Sequence, residues 1–190
     1  IAGVEEIDPR LDGTAWSKRS DNELKKELPL NLHDFQDLRK LGFLYLDKTQ
    51  YIDKLANGKK YFFLSRPRRF GKTLLTSTLK YYFQGEKDLF KGLWVDRNNR
   101  LPQKKHPVVF FDFSGISFDS PEILKAGLTE KMNQQAKILG VQPMKKLFKE
   151  QLTDLINNLY ERYGEQVVVL VDEYDKPLIE FLEKGDEALK

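Results

Sequence analysis

Three short, uninterrupted apolar runs constrain this chain more than any other feature: Tyr61-Phe62-Phe63-Leu64, Val108 to Phe113, and Val167 to Val171. Each is rich in β-branched or aromatic residues and is bounded by turn-forming residues. Each therefore reads as a strand buried on both faces. Helical spacing fills the intervals. A helix is expected from about Lys72 to Phe83, with Leu75, Leu79 and Tyr82/Phe83 on one side. Ser120-Pro121 marks another start, Leu124, Leu128, Met132 and Leu139 its stripe, and Gly140 its end. Leu147, Phe148, Leu152, Leu155, Ile156, Leu159 and Tyr163 give a third helix, closed by Gly164. Strands alternating with helices predict an α/β fold: a mainly parallel sheet with helices on both faces.

Upstream of the first run, Phe35 and Leu38 fit a short helix ending near Gly42, and Phe43 to Leu46 reads as a short strand. Asp47, with Gln50 three residues on, is placed to cap a helix whose apolar face is Tyr51, Ile52 and Leu55 and whose stop is Gly58. Residues 1–27 read as a polar arm and residues 28–190 as one domain, with Pro177 to Lys190 helical. No internal repeat or linker divides the domain.

Composition narrows the chemistry. A chain of 190 residues with 13 Phe and 8 Tyr has enough apolar material for a core, which excludes disordered and low-complexity classes. No apolar run approaches the roughly 20 residues of a membrane helix. With no cysteine, zinc ribbons, Cys-ligated clusters and Cys nucleophiles are excluded, and a reducing cytoplasm is the expected setting. His33 and His106 lie far apart and read as ordinary surface residues rather than as a metal site or part of a triad. The net charge is only +3, but no Asp or Glu occurs between Lys54 and Gly85. That stretch carries Lys54, Lys59, Lys60, Arg66, Arg68, Arg69, Lys72 and Lys80, and it calls for an anionic partner unless it is a solvated basic face.

Within it, Arg66-Pro67-Arg68-Arg69-Phe70-Gly71-Lys72-Thr73 follows a strand and opens a helix. The last three residues match the end of the phosphate loop G-x-x-x-x-G-K-[ST], while Arg66 stands in place of its first glycine. The amides entering a helix point unpaired N–H groups at an anion. Gly71 admits the backbone close to a phosphate, Lys72 binds β- and γ-phosphates, and the Thr73 hydroxyl ligates Mg²⁺. Arg66, Arg68 and Arg69 offer further phosphate contacts, and Phe70 and Leu74 flank the loop. Proline at 67 biases Arg66 toward extended geometry, so this loop enters differently from a glycine-led one.

The third apolar run ends in Asp172-Glu173, the shape of a Walker B element. Asp172 would hold Mg²⁺ and Glu173 would orient and deprotonate water. In a parallel sheet both motifs fall at the same edge, where such folds bind ligands. Asp112, near the end of the second run, is either a strand-end cap for Ser114 and Gly115 or an aid to the metal or water. Asp47, Lys48 and Thr49 are either helix-capping residues or contacts to a base or ribose.

Several strings together resemble the AAA-ATPase-like family of bacterial and archaeal proteins, whose members often carry a C-terminal PD-(D/E)XK nuclease-like domain. The matching pieces are Leu28-Pro29-Leu30 with Asp34-Phe35, Tyr45-Leu46-Asp47-Lys48-Thr49, and Phe63 through Leu75 around S-R-P-R-R-F-G-K-T. Asp112-Phe113-Ser114 and Val171-Asp172-Glu173-Tyr174-Asp175-Lys176-Pro177 complete the set, and residues 1–27 lie outside it. The resemblance implies a P-loop NTPase fold with ATP and Mg²⁺ as its ligands. It makes Arg66 the family's own variant and maps the Walker residues onto Gly71, Lys72, Thr73, Asp172 and Glu173. It implies an ATP-binding, ATP-hydrolysing domain that regulates or powers an attached effector. A non-hydrolysing nucleotide switch and a nucleic-acid-binding module are the rival readings.

In that branch of P-loop folds an added strand follows the Walker B strand, lies between it and the P-loop strand, and carries a polar sensor residue. Lys190 falls about one helix beyond Asp172, so the expectation is a domain cut short at its C-terminus. These residues alone are then expected to be poorly stable and weakly active. Cooperative thermal unfolding together with full ATP turnover by the same piece would refute that expectation.

Overall fold

The computed structural model describes residues 27–29, 32–58, 61–65, 67, 70–116, 120–142, 148–174 and 176. The expected arm over residues 1–27 and the expected helix from Pro177 to Lys190 lie outside them, apart from Glu27.

Four helices make an N-terminal layer: α1 (Phe35–Lys40), α2 (Thr49–Ala56), α3 (Lys72–Phe83) and α4 (Trp94–Arg97), with a 3₁₀ turn over Lys87–Phe90. The local reasons are in the sequence. Asp34 caps α1, its carboxylate accepting from the amides of Gln36 and Asp37. Gly71 and Gly85, both at positive φ, bracket α3. Gly58 follows α2 because a side chain there would meet the Lys54 carbonyl oxygen at 2.9 Å.

The layer is held by an aromatic core. Phe35 is fully buried, its ring centroid 4.9 Å from Phe90 and 5.0 Å from Tyr45 in an edge-on arrangement. Ile52, Tyr82, Leu93 and Val95 complete the cluster, and Leu74, Leu75 and Leu79 of α3 pack against it. The buried positions of α3 are Ser77, Thr78, Tyr81 and Tyr82, so its inner face is centred differently from the expected leucine stripe. Helical hydroxyls make this possible: Ser77 and Thr78 donate to the Leu74 carbonyl and bring no unsatisfied group inside.

β1 (Val108–Asp112), α5 (Pro121–Ile138), α6 (Phe148–Tyr163) and β2 (Val168–Asp172) follow. The strands pair in parallel, from Val108 beside Val168 to Asp112 beside Asp172. Val109 and Phe111 face α5 and α6, packing on Met132, Ala136, Leu155 and Leu159. Phe110, on the opposite face, meets Lys80 of α3. Helices thus lie on both faces of β1 in a small parallel sheet, in line with the α/β expectation. The outer edge of β1 is closed by a side chain, the Phe110 amide donating to Gln135 Oε1 at 3.1 Å. Ser120 caps α5 with Pro121 in its first turn, and Gly140 and Gly164, both at positive φ, follow α5 and α6 as expected.

Three expectations are corrected. Phe43 to Leu46 is not a strand: the Leu44 amide donates to the Glu27 carbonyl, but no ladder follows, and the Tyr45 ring turns into the aromatic core instead. Tyr61 to Leu64 is neither a strand nor buried. Tyr61 is 90% and Phe63 75% exposed, because no ladder partner stands beside this segment among the described residues. β2 is covered on one face only. Val169 and Val171 remain partly open, since α5 and α6 sit over β1.

Burial pushes the Tyr45 and Tyr82 phenols up to about 12. The unfolded chain releases these protons near pH ~10, whereas the folded chain keeps them. Stability is therefore expected to be level below pH ~10 and to fall as the pH rises from there toward about 12. Alkaline denaturant titrations of the parent and of Tyr82→Phe check this, and the variant should lose part of the slope. An unchanged slope would sink the assignment to Tyr82.

Candidate functional site

α3 starts at a glycine that only this backbone geometry explains. Gly71 is left-handed, at φ +74°, and nothing lies within 4 Å of where its Cβ would be. The start of α3 therefore carries no side-chain cap, and open space lies in front of it. The ladder of α3 begins with the Leu75 amide donating to the Gly71 carbonyl at 3.0 Å. Phe70, just before, is exposed. Lys72 is half-buried and its carbonyl accepts from the Thr76 hydroxyl. Leu74 turns its side chain into the aromatic core, so only its amide remains for a ligand.

One turn further along, α3 faces a cavity of about 310 Å³. Thr73, Ser77 and Lys80 line it from α3, Phe110 and Asp112 from β1, and Asp172 with Glu173 from the end of β2. Ser114 and the segment His33-Asp34 close it. The parallel register is what brings the acids together, since Asp112 and Asp172 are direct partners across the pair. Of the sequence-derived site residues, Thr73, Asp172 and Glu173 meet here. Phe70, Gly71, Lys72 and Leu74 belong to the loop and helix start but do not line this cavity, and Arg66, Arg68 and Arg69 lie outside the described residues.

The acids differ in what binds them. Asp172 is only 5% exposed and its Oδ1 accepts from the Glu173 amide at 3.0 Å. Asp112 accepts from the Ser114 amide at 2.8 Å and from the Ser114 hydroxyl at 2.7 Å. Its strand-end cap is thus real, although it also faces the cavity. Asp34 accepts from the Tyr81 hydroxyl, at 3.1 Å to Oδ2, as well as capping α1. Burial and the Asp34 carboxylate hold the Tyr81 phenol well above its ordinary value. Glu173 has the left-handed backbone, φ +53°, rare for a residue with a long side chain.

Contacts from neighbouring segments hold this end of the sheet. The Tyr174 hydroxyl donates to the Leu64 carbonyl at 3.2 Å, and its ring lies 4.8 Å from that of Phe63. Lys176 donates to the Ser114 carbonyl at 2.8 Å. The segment before the loop is thereby attached to the segment carrying the acids without joining the sheet.

Asp47 and Thr49 are structural. Asp47 accepts from the Thr49 amide and hydroxyl and from the Trp94 amide, while fully buried Thr49 accepts from the Val95 amide. These bonds join α2 to α4 and leave neither group for a base or ribose. His106 is likewise structural, its Nδ1 3.0 Å from the Gln166 carbonyl.

His33, Ser77 and Lys80 were not singled out from sequence as site residues. For Ser77 and Lys80 the signal was present: they stand four and seven residues after Thr73, on the same helical face. His33 has no such signal; it reaches the cavity because Ser77 accepts from the Phe35 amide and holds the segment against α3.

A family model described as "Predicted AAA-ATPase" matches residues 29–190. An "Uncharacterized protein in vnfD 5'region" from Azotobacter chroococcum mcd 1 is 35% identical over 166 residues, which is 86% of this chain and 32% of that protein. The chain thus spans about a third of the length of the relative it matches. No solved structure matches the chain. Among the described residues no helix is long and apolar enough to cross a membrane.

The strained backbone at Glu173 gives a direct test. A non-glycine residue held at positive φ costs on the order of 1 kcal/mol relative to glycine. Glu173→Gly is expected to raise the unfolding free energy by about that amount while removing the carboxylate from the cavity. Urea denaturation reads it, and a loss of stability would show that Glu173 is not strained.

Proposed function

The chain belongs to the AAA-ATPase-like family, and on that premise we propose that it binds ATP with Mg²⁺ and hydrolyses it. The observation that carries the reading is the convergence of Thr73, in the first turn of α3, with Asp172 and Glu173, at the end of β2, on one cavity. These residues are far apart in sequence and belong to two separate motifs.

Each residue has a role its chemistry suits. The amides entering α3 and the Lys72 ammonium hold the β- and γ-phosphates, with Arg66, Arg68 and Arg69 as further cations of the loop. The Thr73 hydroxyl and the Asp172 carboxylate hold the metal. Their oxygen donors fit a hard cation that takes one or two protein groups plus substrate phosphates. A bound magnesium ion supplies positive charge to the phosphate oxygens. Glu173 orients a water molecule and accepts its proton. The water oxygen forms the new bond to the γ-phosphorus, the bond to the bridging oxygen breaks, and its electrons leave with ADP. The proton passes from Glu173 to solvent, and phosphate is released.

The length of the relative leaves room for a further domain, and this reading makes turnover the drive or the switch for it. The resemblance implies a nuclease-like effector.

Lys72→Ala in the full-length protein should weaken MgATP binding roughly tenfold to a hundredfold, the loss of one charge-assisted contact. Glu173→Gln should keep MgATP affinity within about threefold and lower turnover on the order of 10²- to 10⁴-fold. Calorimetric titration and phosphate release measure the two. Equal binding by the parent and Lys72→Ala removes the phosphate assignment. Binding without turnover in the parent replaces hydrolysis with a nucleotide switch, and salt-sensitive DNA binding that ATP does not compete would support the nucleic-acid reading instead.

A further inference from the structure

Among the described residues that line the cavity, Lys80 is the one lysine or arginine, and the proposed mechanism gives it no role. It stands on the α3 face that carries Thr73 and Ser77, and Phe110 opposes it from β1. Its Nζ lies 4.9 Å from the Tyr81 ring centroid and 5.6 Å from that of Phe110. Among the described residues it makes no hydrogen bond and no ion pair, although Asp112, Asp172 and Glu173 share the cavity. A lysine sharing a cavity with four carboxylates, Asp34 being the fourth, would ordinarily close onto one of them. Here two aromatic faces hold the ammonium by attraction to their π-electrons. Asp112, the strand neighbour of Phe110 on that face, is already occupied by Ser114.

The helix sets its reach. Seven residues of rise place Lys80 about 10 Å along α3 from Thr73. Helical side chains lean toward the N-terminus, the direction in which Thr73 lies.

We infer that Lys80 is a further catalytic residue, a cation supplied in cis that contacts the terminal phosphoryl group as negative charge builds on its oxygens during transfer. The inference rests on the hydrolytic reading of the same site. Lys72 serves the bound ground state from the loop, whereas Lys80 serves the transition state from the side of the attacking water. A preorganised cation in a half-closed cavity stabilises developing charge more than charge already solvated at binding. Its effect therefore falls on turnover rather than affinity.

The experiment uses the full-length protein with Lys80→Met, which keeps the stem packed on Phe110, and Lys80→Arg, which keeps the charge. Steady-state ATP turnover, MgATP binding, and binding of MgADP with fluoroaluminate, a planar mimic of the transferring group, are measured for each. The expected result is a kcat about a hundredfold lower in Lys80→Met, with MgATP affinity within about threefold and the mimic's affinity lowered as much as kcat. Lys80→Arg should recover a substantial part of both. A Lys80→Met protein with parental kcat, or one losing MgATP and mimic affinity equally, would overturn the inference while leaving the hydrolytic reading intact. If Lys80→Met fails to fold, Lys80→Gln takes its place with the same three measurements, and parental kcat or equal losses of MgATP and mimic affinity overturn the inference. A parent that binds MgATP without turning it over removes the hydrolytic reading and this inference together.

Discussion

The seating of α3 is the constraint from which the rest of the structure follows. One side of this helix presents Leu74, Leu75, Leu79 and Tyr82 to the aromatic core around Phe35 and Phe90. Another presents Thr73, Ser77 and Lys80 to the ends of the parallel strands. The helix is too polar to be buried by hydrophobicity alone, and its hydroxyls resolve this by bonding back to the carbonyl of Leu74. Ser77 does more, since its oxygen also accepts from the Phe35 amide. One serine thus ties the start of α1 to the helix that opens at Gly71. Moving α3 would disturb the aromatic core and the cavity together.

Charge is divided along the same line. The stretch from Lys54 to Gly85 carries no acid, while Asp112, Asp172 and Glu173 arrive from the strand ends. Neither half is complete alone. In the proposed function, a cationic loop without acids would hold a triphosphate but could not recruit a divalent ion, and acids without the loop would repel the phosphates. The meeting of the acids depends on the parallel register that sets Asp112 beside Asp172. A slip of one residue would turn these carboxylates to the opposite face of the sheet, the side on which Val109 and Phe111 meet α5 and α6.

The sequence disclosed what local chemistry decides and hid what depends on neighbours. α3 was legible to the residue because Gly71 and Gly85 punctuate it, and α5 because Ser120 caps it with Pro121 behind. Tyr61 to Leu64 was misread because an apolar run signals a wish for burial without saying what covers it. Asp47 and Thr49 had two readings that no spacing could separate. Their bonds to Trp94 and Val95 span most of the N-terminal layer, and such distant partners leave no periodic trace. Lys80 was visible as part of a basic run but not as a wall of the cavity. Its partner Phe110 comes from a strand whose facing is fixed only once the sheet forms.

The same geometry bears on which acid takes the proton in the proposed reaction. For Asp112 to act as base it would have to surrender two short bonds to Ser114, which also hold the turn after β1. Asp172 is nearly sealed, and one of its oxygens is bound by the Glu173 amide, an arrangement that suits a fixed metal ligand better than a group that must gain and lose protons. Asp34 is committed to Tyr81 and to the cap of α1. Glu173 alone among the four has a carboxylate with no hydrogen bond to a described residue. It is held on a left-handed backbone that a residue chosen for stability would not adopt. The strain and the unbound carboxylate coincide at one residue, as expected where backbone stability is traded for an acid kept ready at the cavity wall.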